Sequence, residues 1–549
     1  MQSILRNAIV VDGNGGPRGR ADVRLEGGRI AEIAEFSRGD TITPRPGAVE
    51  VDLEGLVLSP GFIDIHTHYD AQVLWDPDLT PSCWHGVTTV VIGNCGFGIA
   101  PTRPSDRDNI VRTLENVEGM SAAALTAGID WSFETIPEYL DILDRTPLRL
   151  NVAALAGHTP IRRYVLGEDA TRRTARVSEV EAMRLIVSEA LDAGAIGFST
   201  SRLPTHVGAN GDPVPSRLAS TDEIFTLASP LAKAGHGVLQ VTPGDGLGFE
   251  EFGALSAETG RPLTWTALLT KKEYPGMATS LVDETTSHGG QVYPQVSCRP
   301  LVMQFTLVDP FPLEMLPCMK EVLERPAARR GAVYADPAWR ERARPEINMM
   351  WDGRWGDMTV SESGTEHLGK TVAEVASASA TDPVDVLLDT ALSEDLATRF
   401  TAILTNDSED EIAKLLADER TILGLSDAGA HASQLCDACS ATDLLGRWVR
   451  EKQVLSLEQA VWRLSRQPAD LLGLHDRGRI EPGAVADLVA FDPKTVAPEP
   501  LERVWDLPSG ADRLIARSRG IEHVWVAGEI IRASGDDVDV HTGRLLRSR

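Results

Sequence analysis

Residues 59–70 of this chain are SPGFIDIHTHYD, a short apolar run that ends in two histidines separated by one residue. The run belongs to a segment, residues 57–68, whose composition predicts a buried β-strand. Side chains at positions i and i+2 of a strand point to the same side, so His66 and His68 can converge on one cation at about 2.0–2.1 Å. An HxH pair alone is a weak signal, and its position at the end of a strand is what indicates a metal site.

Seven further segments share this short, apolar and β-branched character, and helical periodicity lies between them, for example at residues 178–193, 222–234 and 456–464. Eight parallel strands alternating with helices form an α/β fold, the (β/α)8 TIM-type barrel, whose active site lies at the carboxyl ends of the strands. The eight predicted strands are residues 57–68, 88–95, 150–158, 195–201, 237–242, 262–267, 291–297 and 421–427.

The two ends of the chain differ from its middle, because both contain short strand-like segments separated by turns such as Gly27-Gly28 and Pro482-Gly483. Chain termini often lie close together, so we predict one small β-sandwich domain made from residues 1–58 and 476–549. The barrel then occupies residues 59–475. A stretch at about 309–372, rich in proline and tryptophan, interrupts the alternation and is predicted to be an insertion.

Other predicted strands also end in residues that can bind a metal ion or carry out chemistry. Cys95 ends the second strand, His158 the third and Asp427 the eighth. Together with the HxH pair they form a donor set that suits zinc. Cys95 could instead be a packed small residue, and Asp427 could cap a helix or turn. His158 and His431 either orient a substrate or complete the shell of the ion.

Three more residues near the strand ends are candidates for substrate binding. His206 follows the fourth strand, and Tyr293 and Arg299 lie at or just past the end of the seventh. Arg299 suits a substrate carboxylate because its planar fork pairs with both oxygens, and either residue suits an oxyanion. The competing interpretation is core packing for Tyr293 and a surface ion pair for Arg299.

Several motifs carry a resemblance to a known family. Residues 59–70 resemble the strand-one signature of the amidohydrolase superfamily, and GVTTVVIGNCG at 86–96 resembles its N-acyl-D-amino-acid deacylase (D-aminoacylase) branch. GFSTS at 197–201, VYP at 292–294, SD at 426–427 and GRIEPGAVADLV at 478–489 lie where that branch has them. The resemblance covers nearly the whole chain.

The resemblance implies the barrel, the β-sandwich and zinc-dependent hydrolysis of an amide bond. It also implies that His66 and His68 are the paired metal ligands, that Cys95 is the cysteine ligand of the branch, and that Asp427 is the acid/base.

The chain departs from that branch at the fifth and sixth strands, where the branch has one histidine each. Residues 238–243 are VLQVTP and residues 263–268 are LTWTAL, so neither strand contains a histidine. On the family pattern Cys95 would share its ion with those two imidazoles, and we expect that half of the site to be disabled. The preferred prediction is one zinc ion held by His66, His68 and Asp427, with His158, His431 or water completing its shell.

Composition excludes several classes of function. The 549 residues include 53 Lys+Arg and 80 Asp+Glu, which gives a formal charge of −27. Nucleic-acid binding and docking on anionic membranes both need a surplus of basic residues on one face. No apolar run reaches the ~18 residues that span a bilayer, and the amino terminus has no signal-peptide core. Six cysteines are too few for a disulfide scaffold. We expect a cytoplasmic protein, and a homo-oligomer remains compatible with the sequence.

The predicted function is hydrolysis of a non-peptide C–N bond in a small-molecule amide. The preferred substrate is an N-acyl amino acid, attacked by metal-activated water with Asp427 as acid/base. One alternative is a cyclic amide or imide hydrolase similar to the hydantoinases, because the same barrel chemistry serves such rings. Another is a non-catalytic barrel scaffold that has lost its fifth-strand and sixth-strand ligands.

Overall fold

The computed structural model describes residues 2–548, and residues 1 and 549, which end the predicted domains, lie outside it. The chain forms two compact units: one comprises the residues up to Arg299, Ser408–Ala432 and the residues from Cys436 onward, the other Pro300–Asp407 and Ser433–Leu435.

The first unit begins with a strand-rich segment. Strand β1 pairs antiparallel with β2 and parallel with β4 and β5, and it buries Leu5 against Val23 and Leu58 in a separate apolar core. The strands are β1 (Gln2–Val10), β2 (Gly19–Glu26), β3 (Arg29–Glu35), β4 (Val49–Asp52) and β5 (Val57–Pro60).

Seven parallel strands follow, each hydrogen-bonded to the next along the chain. Strands such as VTTVVI at 87–92 are buried along their whole length, as expected where helices cover one face of a sheet and the barrel interior covers the other. The strands are β6 (Phe62–Asp64), β7 (Val87–Ile92), β8 (Asn151–Gly157), β9 (Gly197–Ser201), β10 (Val238–Thr242), β11 (Leu263–Leu268) and β12 (Val292–Val296).

Helices connect these strands. Several begin at capping residues, and one has a full capping box in which Thr135 and Glu138 satisfy each other's backbone N–H groups. The predicted helices at 178–193 and 222–234 are confirmed with small shifts of their ends. The helices are α1 (Arg107–Glu118), α2 (Ala122–Gly128), α3 (Ile136–Arg145), α4 (His158–Leu166), α5 (Val177–Asp192), α6 (Thr221–Ala234), α7 (Phe249–Thr259) and α8 (Met277–Ser287).

The second unit has its own sheet and its own core. Strand β15 lies between β13 and β14 and is antiparallel to both. Its aromatic residues pack inside, with the rings of Tyr334 and Trp339 5.4 Å apart. The unit thus extends beyond residues 309–372 at both ends. Its elements are β13 (Leu301–Phe305), α9 (Lys320–Leu323), α10 (Ala327–Tyr334), α11 (Pro337–Trp351), β14 (Met358–Glu362), α12 (Val372–Ser379), α13 (Pro383–Leu392) and β15 (Arg399–Thr405).

The eighth barrel strand, β16 (Ile422–Leu423), pairs with β12, and a parallel bridge between Thr67 and Ala428 closes the ring beside β6. Helices flank it: α14 (Glu409–Ala417), α15 (Ser440–Asp443) with a following π-helix (Leu444–Glu451), α16 (Leu457–Leu464) and α17 (Arg466–Leu471). Among residues 2–548, no helix is both long enough and apolar enough to cross a membrane.

The last strands return to the first sheet. Strand β17 lies between β5 and β22, so both chain ends build one nine-stranded sheet. The predicted fold class, a (β/α)8 barrel with a small β-domain from both termini, is confirmed. The remaining strands are β17 (Leu488–Phe491), β18 (Ala497–Pro498), β19 (Glu502–Val504), β20 (Arg513–Ile515), β21 (Ser518–Arg519), β22 (Ile521–Val526), β23 (Glu529–Ala533) and β24 (Asp536–Asp537).

Candidate metal centre

The two histidines of the HxH motif lie side by side just beyond β6. Their side chains are only 1% and 3% exposed, and the His68 backbone N–H donates to the oxygen of Ala428 at 2.7 Å. His66 Nδ1 lies 2.8 Å from Gln295 Oε1 on β12. With this amide oxygen as acceptor, Nδ1 carries the proton and Nε2 keeps its lone pair for a ligand. Ser426 Oγ donates to the backbone oxygen of His66 at 3.0 Å, which ties the first and eighth strand ends together.

Cys95 lies in the turn after β7 and joins the two histidines. Gly93 and Cys95 both have positive φ, at 81° and 55°, and this turns the thiol back toward the barrel axis. Cys95 Sγ is 3.4 Å from His66 Nε2, and the ligand atoms of Cys95, His66 and His68 lie within 4.8 Å of one another. The Cys95 N–H donates to Gln240 Oε1 at 2.6 Å. The thiol is therefore part of the histidine cluster rather than of a separate site.

Asp427 reaches the same cluster from the eighth strand end. Its Oδ1 lies 3.1 Å from His66 Nε2 and 3.8 Å from His68 Nε2. Asp427 has a φ of 44°, so the backbone is no longer extended at this residue. The carboxylate lies on the side of the histidines. Its side chain is 32% exposed, whereas those of both histidines are buried. Asp427 thus connects the buried donors with the solvent-facing mouth.

Glu118, which the sequence analysis did not single out, supplies a second carboxylate. It ends helix α1, its side chain is 7% exposed, and its Oε2 lies 3.6 Å from His68 Nε2. Its backbone oxygen accepts from the N–H of His431 at 2.5 Å. The helix dipole disfavours negative charge at a helix C-terminus, so an acidic residue just before the glycine that ends a helix is unusual. This is the only signal in the sequence that distinguishes Glu118 from other acidic residues.

Burial controls the protonation of these groups. It lowers the pKa of His66 and His68, so both imidazoles are neutral and able to bind a cation. It raises the pKa of the Cys95 thiol and of Glu118, and the nearby carboxylate of Asp427 raises both further. In residues 2–548, no arginine or lysine is ion-paired with any of these five groups. The cluster is therefore a set of buried donors without a neighbouring protein cation in that part of the chain, and a metal ion that bound there would displace the protons of the thiol and of Glu118.

The spacing and chemistry of the donors fit a zinc ion. With metal–ligand bonds of 2.0–2.3 Å, two ligand atoms of a tetrahedral zinc are separated by about 3.3–3.6 Å. Four separations among the cluster atoms, His66–Asp427, His66–Cys95, His68–Glu118 and His68–Asp427, lie between 3.1 and 3.8 Å, and the ligand atoms of His66, His68 and Cys95 are all within 4.8 Å of one another. Imidazole, thiolate and carboxylate are also the ligands that zinc uses in proteins.

The fifth and sixth strands present neutral groups to the other side of the cluster. Gln240 Nε2 donates to Thr266 Oγ1 at 3.3 Å, and the hydroxyls of Thr242 and Thr266 are 3.2 Å apart. Thr266 Oγ1 is 3.9 Å from Cys95 Sγ. These side chains hydrogen-bond to one another where the family pattern has imidazoles.

Two of the five predicted substrate-binding residues face the cluster. His206 Nδ1 pairs with Ser201 Oγ at 2.8 Å, and both His206 and His431 lie close enough to His68 to lower its pKa. Burial, together with Arg217 and His431, lowers the pKa of His206 to about 3. His206 is therefore neutral near pH 7 and can donate or accept one hydrogen bond.

The structure does not bring His158 to the cluster. It is the first residue of α4, and its two ring nitrogens pair with Thr200 Oγ1 at 2.8 Å and Glu223 Oε1 at 3.1 Å. Arg162 shares the same carboxylate at 2.9 Å. Thr200, Glu223 and Arg162 are fully buried, so His158 belongs to a packed network between α4, β9 and α6.

Tyr293 and Arg299 are also engaged elsewhere. Tyr293 packs against the apolar cluster inside the barrel, one layer below Gln295, which takes the position beside the histidines. Arg299 donates to Asp437 Oδ1 at 2.7 Å and to Asp443 Oδ1 at 3.0 Å. Both oxyanion candidates of the seventh strand are thus used by protein contacts, and the strand contributes an amide to the site instead.

The chain is similar to known proteins over nearly its whole length. The model of the Amidohydrolase family matches residues 49–302 and 339–532. D-aminoacylase from Alcaligenes xylosoxydans xylosoxydans is 29% identical over 549 residues, which cover 99% of this chain and 97% of that protein.

Two solved structures are similar over 100% of this chain and 99% of their own. One is a D-aminoacylase described for its binuclear metal center, with one-metal activation and second-metal attenuation (TM-score 0.67, 25% identity). The other is N-acyl-D-glutamate deacylase from Bordetella bronchiseptica, complexed with zinc and a phosphonate inhibitor that mimics the tetrahedral intermediate of the reaction (TM-score 0.66, 26% identity).

Proposed function

This chain belongs to the Amidohydrolase family, and we propose from that membership that it hydrolyses the amide bond of a small N-acyl amino acid. The enzyme class is a hydrolase of carbon–nitrogen bonds other than peptide bonds. The proposal of substrate class is supported by similarity over nearly the whole chain to a D-aminoacylase and to an N-acyl-D-glutamate deacylase. The observation that carries it is the convergence of two imidazoles and one thiol within 4.8 Å at the barrel mouth.

We propose that His66, His68, Cys95 and Asp427 hold one zinc ion. When bound there, zinc would lower the pKa of a coordinated water to about 7 and polarise the amide carbonyl. One ion is favoured over two because Gln240 and Thr266 replace the imidazoles that a second ion would need. Both are neutral and already hydrogen-bonded to each other.

Asp427 is proposed to move the proton. Its Oδ1 lies 3.1 Å from His66 Nε2 and 3.8 Å from His68 Nε2, and its side chain is partly exposed, so it can contact both the attacking water and a bound substrate. It would take a proton from the water and pass it to the leaving nitrogen, a role that needs an acceptor within hydrogen-bond reach of both. His66, His68 and Cys95 are too buried for this task.

His206 and His431 are proposed to contact the substrate. Both face His68 from different loops, and His206 is kept neutral by its surroundings. A neutral imidazole can donate to the substrate carbonyl or carboxylate without placing a second positive charge beside the metal.

The test combines metal analysis with a substrate panel. We expect about one equivalent of zinc per chain, as a single site of this ligand type would hold. N-acyl-D-amino acids, their L-enantiomers and hydantoins are then compared by release of free amine or ring-opened acid. Turnover of hydantoins alone would replace the proposal with cyclic-amide hydrolysis. Less than ~0.3 equivalents of any transition metal, with no turnover, would instead indicate a non-catalytic scaffold.

A further inference from the structure

We propose that Glu118 is a ligand of the ion held by His66 and His68, and that it supplies the donor which β10 and β11 lack. The inference rests on the proposed metal centre and names one more residue of it. This donor lies at the C-terminal end of helix α1, in the connection that follows β7, and not at the end of a strand.

The position of the carboxylate supports a shared ion. Glu118 Oε2 lies 3.6 Å from His68 Nε2, which is beyond hydrogen-bond range and within the separation of two ligand atoms on one zinc, about 3.3–3.6 Å. Asp427 Oδ1 lies 3.8 Å from the same nitrogen. Two carboxylates therefore approach one imidazole nitrogen, and a single cation can satisfy all three groups where hydrogen bonds do not.

The surroundings of Glu118 leave room for a cation that the described part of the protein does not itself supply. The ionisable groups near it include the ring of His68, the carboxylates of Asp427 and Asp70, and the thiol of Cys95. Within residues 2–548 no arginine or lysine is ion-paired with it, and its own helix presents its negative end there. A carboxylate with 7% exposure is costly to bury unless it is paired or binds a metal.

The backbone around Glu118 is fixed, so the carboxylate is held in place. Gly119 has φ 57° and caps the helix by donating its N–H to Leu114 O. A Cβ at Gly119 would come within 2.6 Å of His431 Nδ1, so only glycine fits between the helix end and the loop after β16. The N–H of His431 donates to Glu118 O at 2.5 Å. The loop that carries Asp427 thus holds the end of the helix that carries Glu118.

The test measures zinc affinity by chelator competition in Glu118→Gln and in a matched control, Glu115→Gln. Glu115 lies on the same helix, is 38% exposed and pairs with Arg112. We expect Glu118→Gln to weaken zinc binding by about tenfold or more, because even outer-shell partners of metal ligands are worth 10–100-fold. Glu115→Gln should bind zinc as the wild type does. The absorption spectrum of the Co²⁺-substituted protein should change in Glu118→Gln only, because one ligand is replaced.

Thermal unfolding adds a readout that does not depend on activity. In metal-free protein, Glu118→Gln removes one of the two carboxylates that approach His68, so the unfolding temperature should stay equal or rise. In zinc-loaded protein it should fall below that of the wild type, because the weaker site contributes less binding energy to the folded state. A carboxylate with a purely structural role would lower both temperatures.

Each outcome decides the inference. Unchanged zinc affinity overturns it, and weaker binding with an unchanged Co²⁺ spectrum makes Glu118 a positioning residue for His68 and not a ligand. If Glu118→Gln does not fold, Glu118→Asp replaces it: a ligand shortened by one methylene should weaken binding and alter the spectrum, and an unaltered variant contradicts the proposal. Absence of zinc from the wild type would instead remove the proposed metal centre itself.

Discussion

The two sides of the barrel mouth differ in chemistry. The ends of β6 and β16 bring His66, His68 and Asp427 together, and within residues 2–548 no lysine or arginine is ion-paired with them. The ends of β10 and β11 present Gln240 and Thr266, which hydrogen-bond to each other. The first side is incomplete without an ion, and the second is complete by itself, because neutral donors and acceptors satisfy one another.

Cys95 stands between these two sides. Its thiol lies 3.4 Å from His66 Nε2, and its backbone N–H donates to Gln240 on the neutral side. The loss of the two imidazoles of the family pattern therefore need not disable the cysteine. The thiol can serve the histidine pair that remains.

The largest effect is expected for His66→Ala. The change removes a central ligand, so zinc affinity and turnover should each fall by about 10³-fold or more, exceeding the 10–100-fold typical of outer-shell partners. Metal content, circular dichroism and amine release check this. His475→Ala, at an exposed position, is the control for loss of an imidazole elsewhere. Zinc retained at one equivalent in His66→Ala would mean that the charged side does not hold the ion.

Asp427→Asn should have the next largest effect. Asparagine keeps an oxygen donor but cannot accept the proton of the water, so kcat should fall by about 10²–10⁴-fold, the usual contribution of a general base. Much of the zinc should remain, which separates this variant from His66→Ala. Steady-state kinetics with metal analysis measure both effects, and activity within tenfold of the wild type would show that the proton is carried by another group.

Cys95→Ser tests whether the thiol serves the histidine pair. A serine hydroxyl is a much poorer zinc ligand than a thiolate, so we expect zinc affinity to fall by about 10–100-fold while the protein stays folded. Zinc X-ray absorption should lose its sulfur scatterer at the same time. If zinc affinity and activity are both unchanged, Cys95 is a packed residue and not a ligand. The sequence-based prediction that the cysteine half of the metal site is disabled would then hold.

Most of the fold could be predicted from the sequence because its periodicities are local. Strand segments such as residues 88–95 and 291–297 lie within a few residues of β7 and β12, and the alternation of a strand places His66 and His68 on one side. The barrel rule then places Asp427 at the same level, since the carboxyl ends of parallel strands meet at one edge. These inferences need no knowledge of distant contacts.

The rest of the site depends on contacts between distant residues. Glu118 is the last residue of helix α1, and only the folding of that helix over the barrel mouth brings it to His68. Arg299 was predicted as a carboxylate binder, but its partners Asp437 and Asp443 are far along the chain. Tyr293 and Gln295 share one face of β12, and the depth of the barrel layer, which no local pattern encodes, decides which of them reaches the histidines.

The smallest effect is expected on the neutral side, in Thr266→Val. Valine keeps the shape of threonine and removes the hydroxyl shared by Gln240 Nε2 and Thr242 Oγ1. Because that hydroxyl is not a proposed ligand, zinc affinity should stay within about twofold of the wild type, far from the 10–100-fold expected of a group that supports the metal. The buried partners lose a hydrogen bond, so the free energy of unfolding should fall by about 1–3 kcal/mol, measured by urea denaturation of metal-free protein. A tenfold loss of zinc affinity would place the ion between the two sides of the mouth and end the distinction between them.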